Sequence, residues 1–159
     1  MRDGLYRVPE DGGALQRVTS VDASRGETRH IALQFLPDGR RFLYLVGSNM
    51  PGRSMLYAGS LDSPKRTPIM PAPSNVAYAE GYLLYVANSM MAARRFDWKT
   101  LQVSGDPVML GESVVGETAA DAAVSLAHFS VAGNALALGP VGTQRERITV
   151  VKNWLRGVK

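Results

Sequence analysis

The sequence predicts an all-β protein made of repeated four-stranded antiparallel meanders. Short apolar or alternating segments of strand length recur along the whole chain, separated by turn residues. The 159 residues include 16 glycines and 9 prolines, which suit many short strands better than long helices. The predicted turn glycines Gly39, Gly81 and Gly133 are 42 and 52 residues apart. A repeat of about 40 to 45 residues is typical of one four-stranded unit.

The first complete unit is predicted over residues 30–70. A tight turn at Pro37, Asp38 and Gly39 joins strands at residues 30–36 and 41–47. Proline presets the first corner of such a turn, aspartate accepts from nearby backbone amides, and glycine tolerates positive φ. Two more strand-like segments complete this meander, at residues 54–62 and 65–70.

The same plan predicts two further units and part of another. The second covers residues 75–110 and turns at Gly81, and the third covers residues 125–154 and turns at Gly133. Residues 4–19 supply only the last two strands of an earlier unit. The predicted third strands share a signature that closes on aspartate: LYRVPED, LYAGSLD and MAARRFD. We therefore predict a single domain over residues 1–159 that forms a partial β-propeller of about three four-stranded antiparallel blades.

Three connecting segments are predicted to lie outside the strands. Residues 21–29 are polar and are expected to form a loop that links two blades. Residues 111–123 are small and acidic, which is compatible with a mobile loop or a short helix. The last residues, from 153 onwards, are expected to form a helical turn that ends at Gly157.

Composition and charge narrow the functional classes. The chain has no cysteine, which excludes disulfides and thiolate metal sites. The net charge of +4 comes from scattered pairs of basic residues, so nucleic acid is not an expected partner. No apolar run approaches the roughly 20 residues that cross a bilayer, so we predict no membrane segment and a soluble chain. The cellular compartment stays unknown from these features.

Several segments carry a family resemblance in the same order. DASRGETRHIALQFLPDGRRFLYLV, LYAGSLD, GYLLYVAN and FDWKTLQVSGDPVML resemble the TolB-like, WD-like β-propeller repeats attached to bacterial, acidobacteria-like, transmembrane serine/threonine kinases. The resemblance covers residues 4–110 closely, and RERITVVKNWLRGVK resembles the C-terminal end of such proteins. It implies the C-terminal sensor part of a kinase-type parent, with an extracytoplasmic (periplasmic) location. The sequence departs from that pattern because it lacks the kinase half and the membrane segment, and because it passes from a middle blade to the terminal one over residues 138–147.

Closing a ring is difficult with this number of strands. The predicted strands make slightly more than three blades, whereas propellers typically use four to eight. Open end blades expose apolar faces that invite association. The alternatives are a fragment of a larger bacterial protein, a homodimer that closes the ring, or a repacked β-fold. Of these alternatives we favour a fragment of a larger protein, and we rank the homodimer second.

Motifs for enzymatic chemistry are absent from the sequence. It has no G-x-S-x-G nucleophile elbow, no phosphate-binding glycine loop and no kinase catalytic loop. Its two histidines, His30 and His128, are far apart and lack companion ligands at metal-binding spacings. We therefore predict no catalytic residue, no metal, no cofactor and no enzymatic activity.

The best candidate binding element is the segment around residues 25–30. Arg25 and Arg29 are expected to hold a carboxylate or phosphate of a partner, with Glu27 between them. The alternative is that Glu27 pairs with an arginine and only holds the shape of the loop. His30 lies in a predicted first strand, where a ligand in a propeller channel would meet it. The alternative is a histidine that is hydrogen-bonded to a neighbouring backbone group.

The expected function is therefore a non-catalytic β-propeller module for protein interaction or ligand sensing. Its loops on one face would contact a protein or a small ligand, while the blades serve as a rigid frame. One alternative is an accessory domain of a serine hydrolase or peptidase-type protein. Another is a degenerate fragment with no independent function.

Overall fold

The computed structural model describes residues 4–113, 116–118, 125–139 and 148–158. These residues form β-strands and two short 3-10 helices, at Ala23–Arg25 and Trp154–Val158, which confirms the all-β prediction. The strands are β1 (Tyr6–Arg7), β2 (Gln16–Arg17), β3 (Glu27–Phe35), β4 (Arg41–Ser48), β5 (Met55–Ser60), β6 (Thr67–Pro71), β7 (Val76–Ala79), β8 (Tyr82–Ala87), β9 (Met90–Asp97), β10 (Gln102–Ser113), β11 (Gly116–Thr118), β12 (Ser125–Ala127), β13 (Phe129–Ala132), β14 (Ala135–Leu138) and β15 (Thr149–Lys152).

The strands pair in chain order within each sheet, so every sheet is an antiparallel meander or hairpin. β3, β4, β5 and β6 form one four-stranded sheet, and β7, β8, β9 and β10 form a second. β13, β14 and β15 make a three-stranded sheet, while β1 pairs with β2 and β11 pairs with β12. The sequence predicts one continuous strand over residues 125–131 with His128 inside it, and this prediction is wrong in detail. The described part of this region divides into β12 and β13, and the exposed His128 lies between them rather than within a strand.

The turn after β3 forms as the sequence indicates. The Asp38 carboxylate accepts hydrogen bonds from the amides of Arg40 and Arg41, at 3.0 and 2.9 Å. Gly39 has a φ of 65°, in the left-handed region that favours glycine. This geometry lets β4 return directly beside β3.

The two faces of a single strand enter two separate cores. In β4, Phe42 and Tyr44 pack with the β1–β2 hairpin residues Leu5 and Val18. The alternate residues of the same strand pack instead against the β7–β10 sheet; these are Leu43 and Leu45. Because side chains alternate across a strand, the β3–β6 sheet is sandwiched between its two neighbours.

The β7–β10 sheet repeats this arrangement. Leu83 of β8 packs towards the β3–β6 sheet, whereas Leu84 packs with Leu136 of β14. Trp154 belongs to this last core and donates its indole N–H to the Gly133 carbonyl at 3.1 Å. The described sheets therefore pack face to face in chain order.

Side-chain amides join β3 to β7 and the start of β7 to the end of β12. Gln34 at the end of β3 donates to the Tyr78 carbonyl at 3.0 Å and accepts from the Tyr78 amide at 2.7 Å. Asn75 makes the same pair of bonds with the backbone of Ala127, at 3.1 and 2.7 Å. β3, β7 and the β12–β13 region consequently lie side by side.

Two connecting segments differ from their predictions. In residues 21–29, Asp22 caps the first 3-10 helix and β3 begins at Glu27, because Gly26 ends the helix in a left-handed conformation. In residues 111–123, the described part is strand rather than loop or helix: β10 continues to Ser113, and β11 pairs with β12. The rest of this segment lies outside the described residues. Among the described residues, no helix is both long and apolar enough to cross a bilayer.

Candidate functional site

A buried ion pair between Glu27 and Arg66 forms the centre of the candidate site. Glu27 starts β3, and Arg66 lies immediately before β6 on the opposite edge of the same sheet. The two guanidinium nitrogens donate to the two carboxylate oxygens at 3.0 and 2.5 Å. The Glu27 side chain is only 6% exposed. The Arg66 guanidinium also stacks over the Tyr57 ring, 4.7 Å from its centroid.

The ionised state of Glu27 is supported by its partners. Burial raises the pKa of Glu27, but hydrogen bonds from Arg66 and from the Asp22 amide, together with the Arg66 charge, outweigh burial and hold the pKa below its usual range. The hydrogen bond with Glu27 raises the pKa of Arg66 further above its ordinary value. The pair is therefore fully charged at neutral pH.

His30 extends this network towards the β1–β2 hairpin. Its Nε2 lies 3.4 Å from a Glu27 carboxylate oxygen, and its Nδ1 lies 2.7 Å from the Thr19 hydroxyl. Burial lowers the pKa of His30, which the hydrogen bond with Glu27 opposes only in part. A neutral ring with its proton on Nε2 donates to Glu27 and accepts from the Thr19 O–H. The Thr19 oxygen in turn accepts from the Leu5 amide at 2.9 Å, so the network holds the hairpin against β3.

The Tyr44 hydroxyl lies beside the Arg66 guanidinium of the ion pair, without a hydrogen bond of good geometry to it. Tyr44 is fully buried, and within the described part of the chain its hydroxyl has no hydrogen-bond partner of acceptable geometry. Burial raises the pKa of Tyr44, and the Arg66 guanidinium close to the hydroxyl lowers it to a smaller extent, first as a hydrogen-bond donor of poor geometry and then through its charge. The hydroxyl is therefore protonated and is able to both donate and accept.

These groups border an open cleft of about 540 Å³. One wall comes from residues 18–23, which follow the β1–β2 hairpin, and the other comes from β4, β5 and the segment that leads into β6. Polar side chains dominate the lining: Thr19, Ser20, Asp22, His30, Tyr44, Ser60, Ser63, Lys65 and Arg66. This size and lining are suited to a small polar ligand.

The structure separates the residues that the sequence grouped as a binding element. Glu27 and His30 belong to the network, whereas Arg25 is exposed at the end of the 3-10 helix and Arg29 is half-buried opposite Gly47. Neither arginine lines this cleft. Glu27 does pair with an arginine, as one alternative expected, but that arginine is Arg66. His30 contacts side chains rather than a backbone group.

Sequence reasoning missed three members of the site. Arg66 lies 39 positions after Glu27, and the aromatic Tyr44, within an apolar strand-like segment, indicates only packing between blades. Thr19 was included only as the end of a strand remnant. The one available signal was the isolated Lys65–Arg66 pair inside a strand-like segment, which marks a charge that needs a partner.

Two further observations concern the identity of the site. The described residues contain no group of three or more histidine, aspartate, glutamate or cysteine side chains arranged to hold a metal ion. No protein-family model, curated protein or solved structure matches this chain.

Proposed function

We propose that this chain is a β-propeller module that binds a small ligand or a protein partner and performs no covalent chemistry. Meander sheets that pack face to face in chain order support the propeller arrangement. So do the matching amide contacts of Gln34 and Asn75, which join β3 to β7 and the start of β7 to the end of β12. In this proposal the sheets form a rigid frame and the cleft provides the recognition surface.

The resemblance to kinase-attached propeller repeats favours sensing over other roles. On that basis we propose that the chain works as the sensor part of a larger bacterial membrane protein of the kinase type. Occupation of the cleft would then change how the module contacts the rest of its parent. An extracytoplasmic position of the module follows from the same proposal.

The main observation in support of the proposed binding function is the buried polar network that borders the cleft. Buried charges are costly unless they are paired, and the Glu27–Arg66 pair is held by His30, Thr19 and the Asp22 amide. Such an arrangement fixes the positions of polar groups next to a solvent-open cavity. Fixed polar groups are what a binding site needs to select and orient a ligand.

A thermal-shift screen followed by NMR mapping tests the proposal. We expect at least one compound class to stabilise the protein and to shift amide signals of the cleft, such as Ser60 and Ser63. We also expect mass spectrometry to recover each bound compound unchanged. Hits that map only outside the cleft would contradict the binding function, and conversion of a bound compound would contradict the non-catalytic one.

A further inference from the structure

The chemistry of the cleft points to a class of ligand. We propose that it binds a small neutral polyhydroxylated molecule, of the size of a monosaccharide or a cyclitol, with one ligand hydroxyl bonded to Tyr44. This inference rests on the proposed binding function and names its ligand. The size of the cleft, the unpaired Tyr44 hydroxyl, the charge balance and the free serine protons each contribute to it.

The Tyr44 hydroxyl is the strongest pointer to a ligand. A buried hydroxyl without a partner is costly, and most such groups in folded proteins are satisfied. The side chain borders the cleft and its hydroxyl lies close to Glu27 and Arg66. A ligand hydroxyl that reaches this position would accept from Tyr44, donate to it, or do both.

The charges around the cleft cancel. The Lys65 ammonium and the Arg66 guanidinium are balanced by the Asp22 and Glu27 carboxylates. Two of the five N–H groups of Arg66 donate to Glu27, whose carboxylate balances the guanidinium charge, so an anionic ligand would meet a negative side chain as well as a positive one. A cationic ligand would meet two positive side chains. A neutral ligand avoids both costs.

Serine hydroxyls on the opposite wall provide further hydrogen bonds. The Ser60 oxygen accepts from the Asp62 amide at 3.1 Å, and the Ser63 oxygen accepts from the Lys65 amide at 3.2 Å. Each of these bonds orients the hydroxyl and uses only its acceptor side. The O–H groups of Ser60 and Ser63 are therefore available to donate hydrogen bonds, and the hydroxyl oxygens of a polyol are suitable acceptors.

Titration followed by NMR tests this ligand class with probes of matched size. The neutral probes are glucose, galactose, mannose and myo-inositol; gluconate and glucosamine are the anionic and cationic comparators. We expect at least one neutral probe to shift signals of Tyr44, Ser60 and Ser63 and to bind more tightly than either charged comparator. Tyr44→Phe should weaken that binding at least tenfold, because only the hydroxyl is removed.

A matched variant separates binding from folding. Tyr85→Phe removes a hydroxyl from a tyrosine packed in a different core and should leave binding unchanged. We expect the melting temperature of Tyr44→Phe to equal or exceed that of the parent protein, because the variant loses an unpaired buried hydroxyl. Equal affinity of Tyr44→Phe and the parent protein would overturn the proposed contact.

The outcomes also separate this inference from the proposed function. If gluconate binds the cleft and no neutral probe does, the ligand is an anion and the inference is wrong. If no probe binds but another compound class maps to the cleft, the inference is again wrong and the binding function stands. If no compound of any class maps to the cleft, both fail.

Discussion

At the scale of single residues, the Glu27–Arg66 pair is the contact with the largest consequence. Glu27→Gln keeps the shape of the side chain but removes its charge, so Arg66 loses its counterion in a largely buried place. We expect the free energy of unfolding to fall by about 2 to 3 kcal/mol, measured by urea denaturation.

An exposed ion pair provides the control for that substitution. Arg40 pairs with Asp62 through side chains that are 65% and 49% exposed, so Asp62→Asn should change stability little. A Glu27→Gln effect as small as that of Asp62→Asn would contradict the central position of the pair.

The pH dependence of stability follows from the same residues. Because burial lowers the pKa of His30 below its ordinary 6.5, the unfolded chain binds a proton more readily than the folded one. The stability that His30 contributes is present above pH 6.5 and is lost as the pH falls towards its folded pKa. The lowered pKa of Glu27 adds a second loss below pH 4.5.

Chemical denaturation across this pH range measures both losses. Glu27, Arg66 and Thr19 all face His30, and in His30→Gln we expect the first decline to flatten while the second persists. A parent protein with constant stability from neutral pH down to pH 5 would disprove the assignment to His30.

The identity of residue partners was the least predictable feature of the site. The sequence offered the pairing of Glu27 with an arginine only as the alternative to a binding role. It offered two arginines in the same segment, Arg25 and Arg29. The actual partner, Arg66, lies at the opposite edge of the sheet and reaches Glu27 across its face, over the Tyr57 ring. Which side chains meet across a sheet depends on the whole fold.

At the scale of elements, the amide contacts between first strands determine how sheets join. Gln34→Ala removes both side-chain hydrogen bonds to Tyr78 and leaves the backbone N–H and carbonyl of Tyr78 without their partner. We expect a loss of about 1 to 2 kcal/mol in urea denaturation, and faster hydrogen exchange at the Tyr78 amide.

Gln16→Ala is the matched control, because Gln16 bonds only the exposed Arg7 side chain in the described contacts. Equal stabilities of the two alanine variants, with unchanged exchange at Tyr78, would show that the Gln34 contact does not join the sheets.

Strands in the middle of sheets were predictable and strand ends were not. β4, β8 and β9 match the strand-like segments at residues 41–47, 82–88 and 90–97 to within a residue, because continuous apolar runs between turn residues leave little choice. β10 runs from Gln102 to Ser113, well beyond the predicted 106–110. Register shifts after Ser104 and Met109 let it follow β9 through Gly105 and Gly111, which both have positive φ.

At the scale of the whole molecule, apolar residues remain exposed towards both ends of the described stack of sheets. Leu33 and Phe35 of β3 border an apolar groove beside the short β1–β2 hairpin, which covers only part of that face. Ile148, just before β15, is 72% exposed, and Val150, within β15, is 57% exposed. Uncovered apolar faces of this kind favour association.

We therefore expect light scattering at high protein concentration to give a mass near twice the 17.2 kDa of one chain. Phe35→Ser should return the mass towards that of a single chain, whereas Met50→Ser, at an equally exposed turn residue, should not. A mass of 17.2 kDa at every concentration would rule out the homodimer.

The most direct test of the stacked arrangement uses methyl-labelled leucines and nuclear Overhauser contacts. Two neighbouring residues of β8 should show contacts with different sheets. Leu83 should contact Leu43 and Leu45 of the β3–β6 sheet, and Leu84 should contact Leu136 of the β13–β15 sheet. Contacts from Leu83 and Leu84 to one and the same sheet would contradict face-to-face stacking of successive meanders.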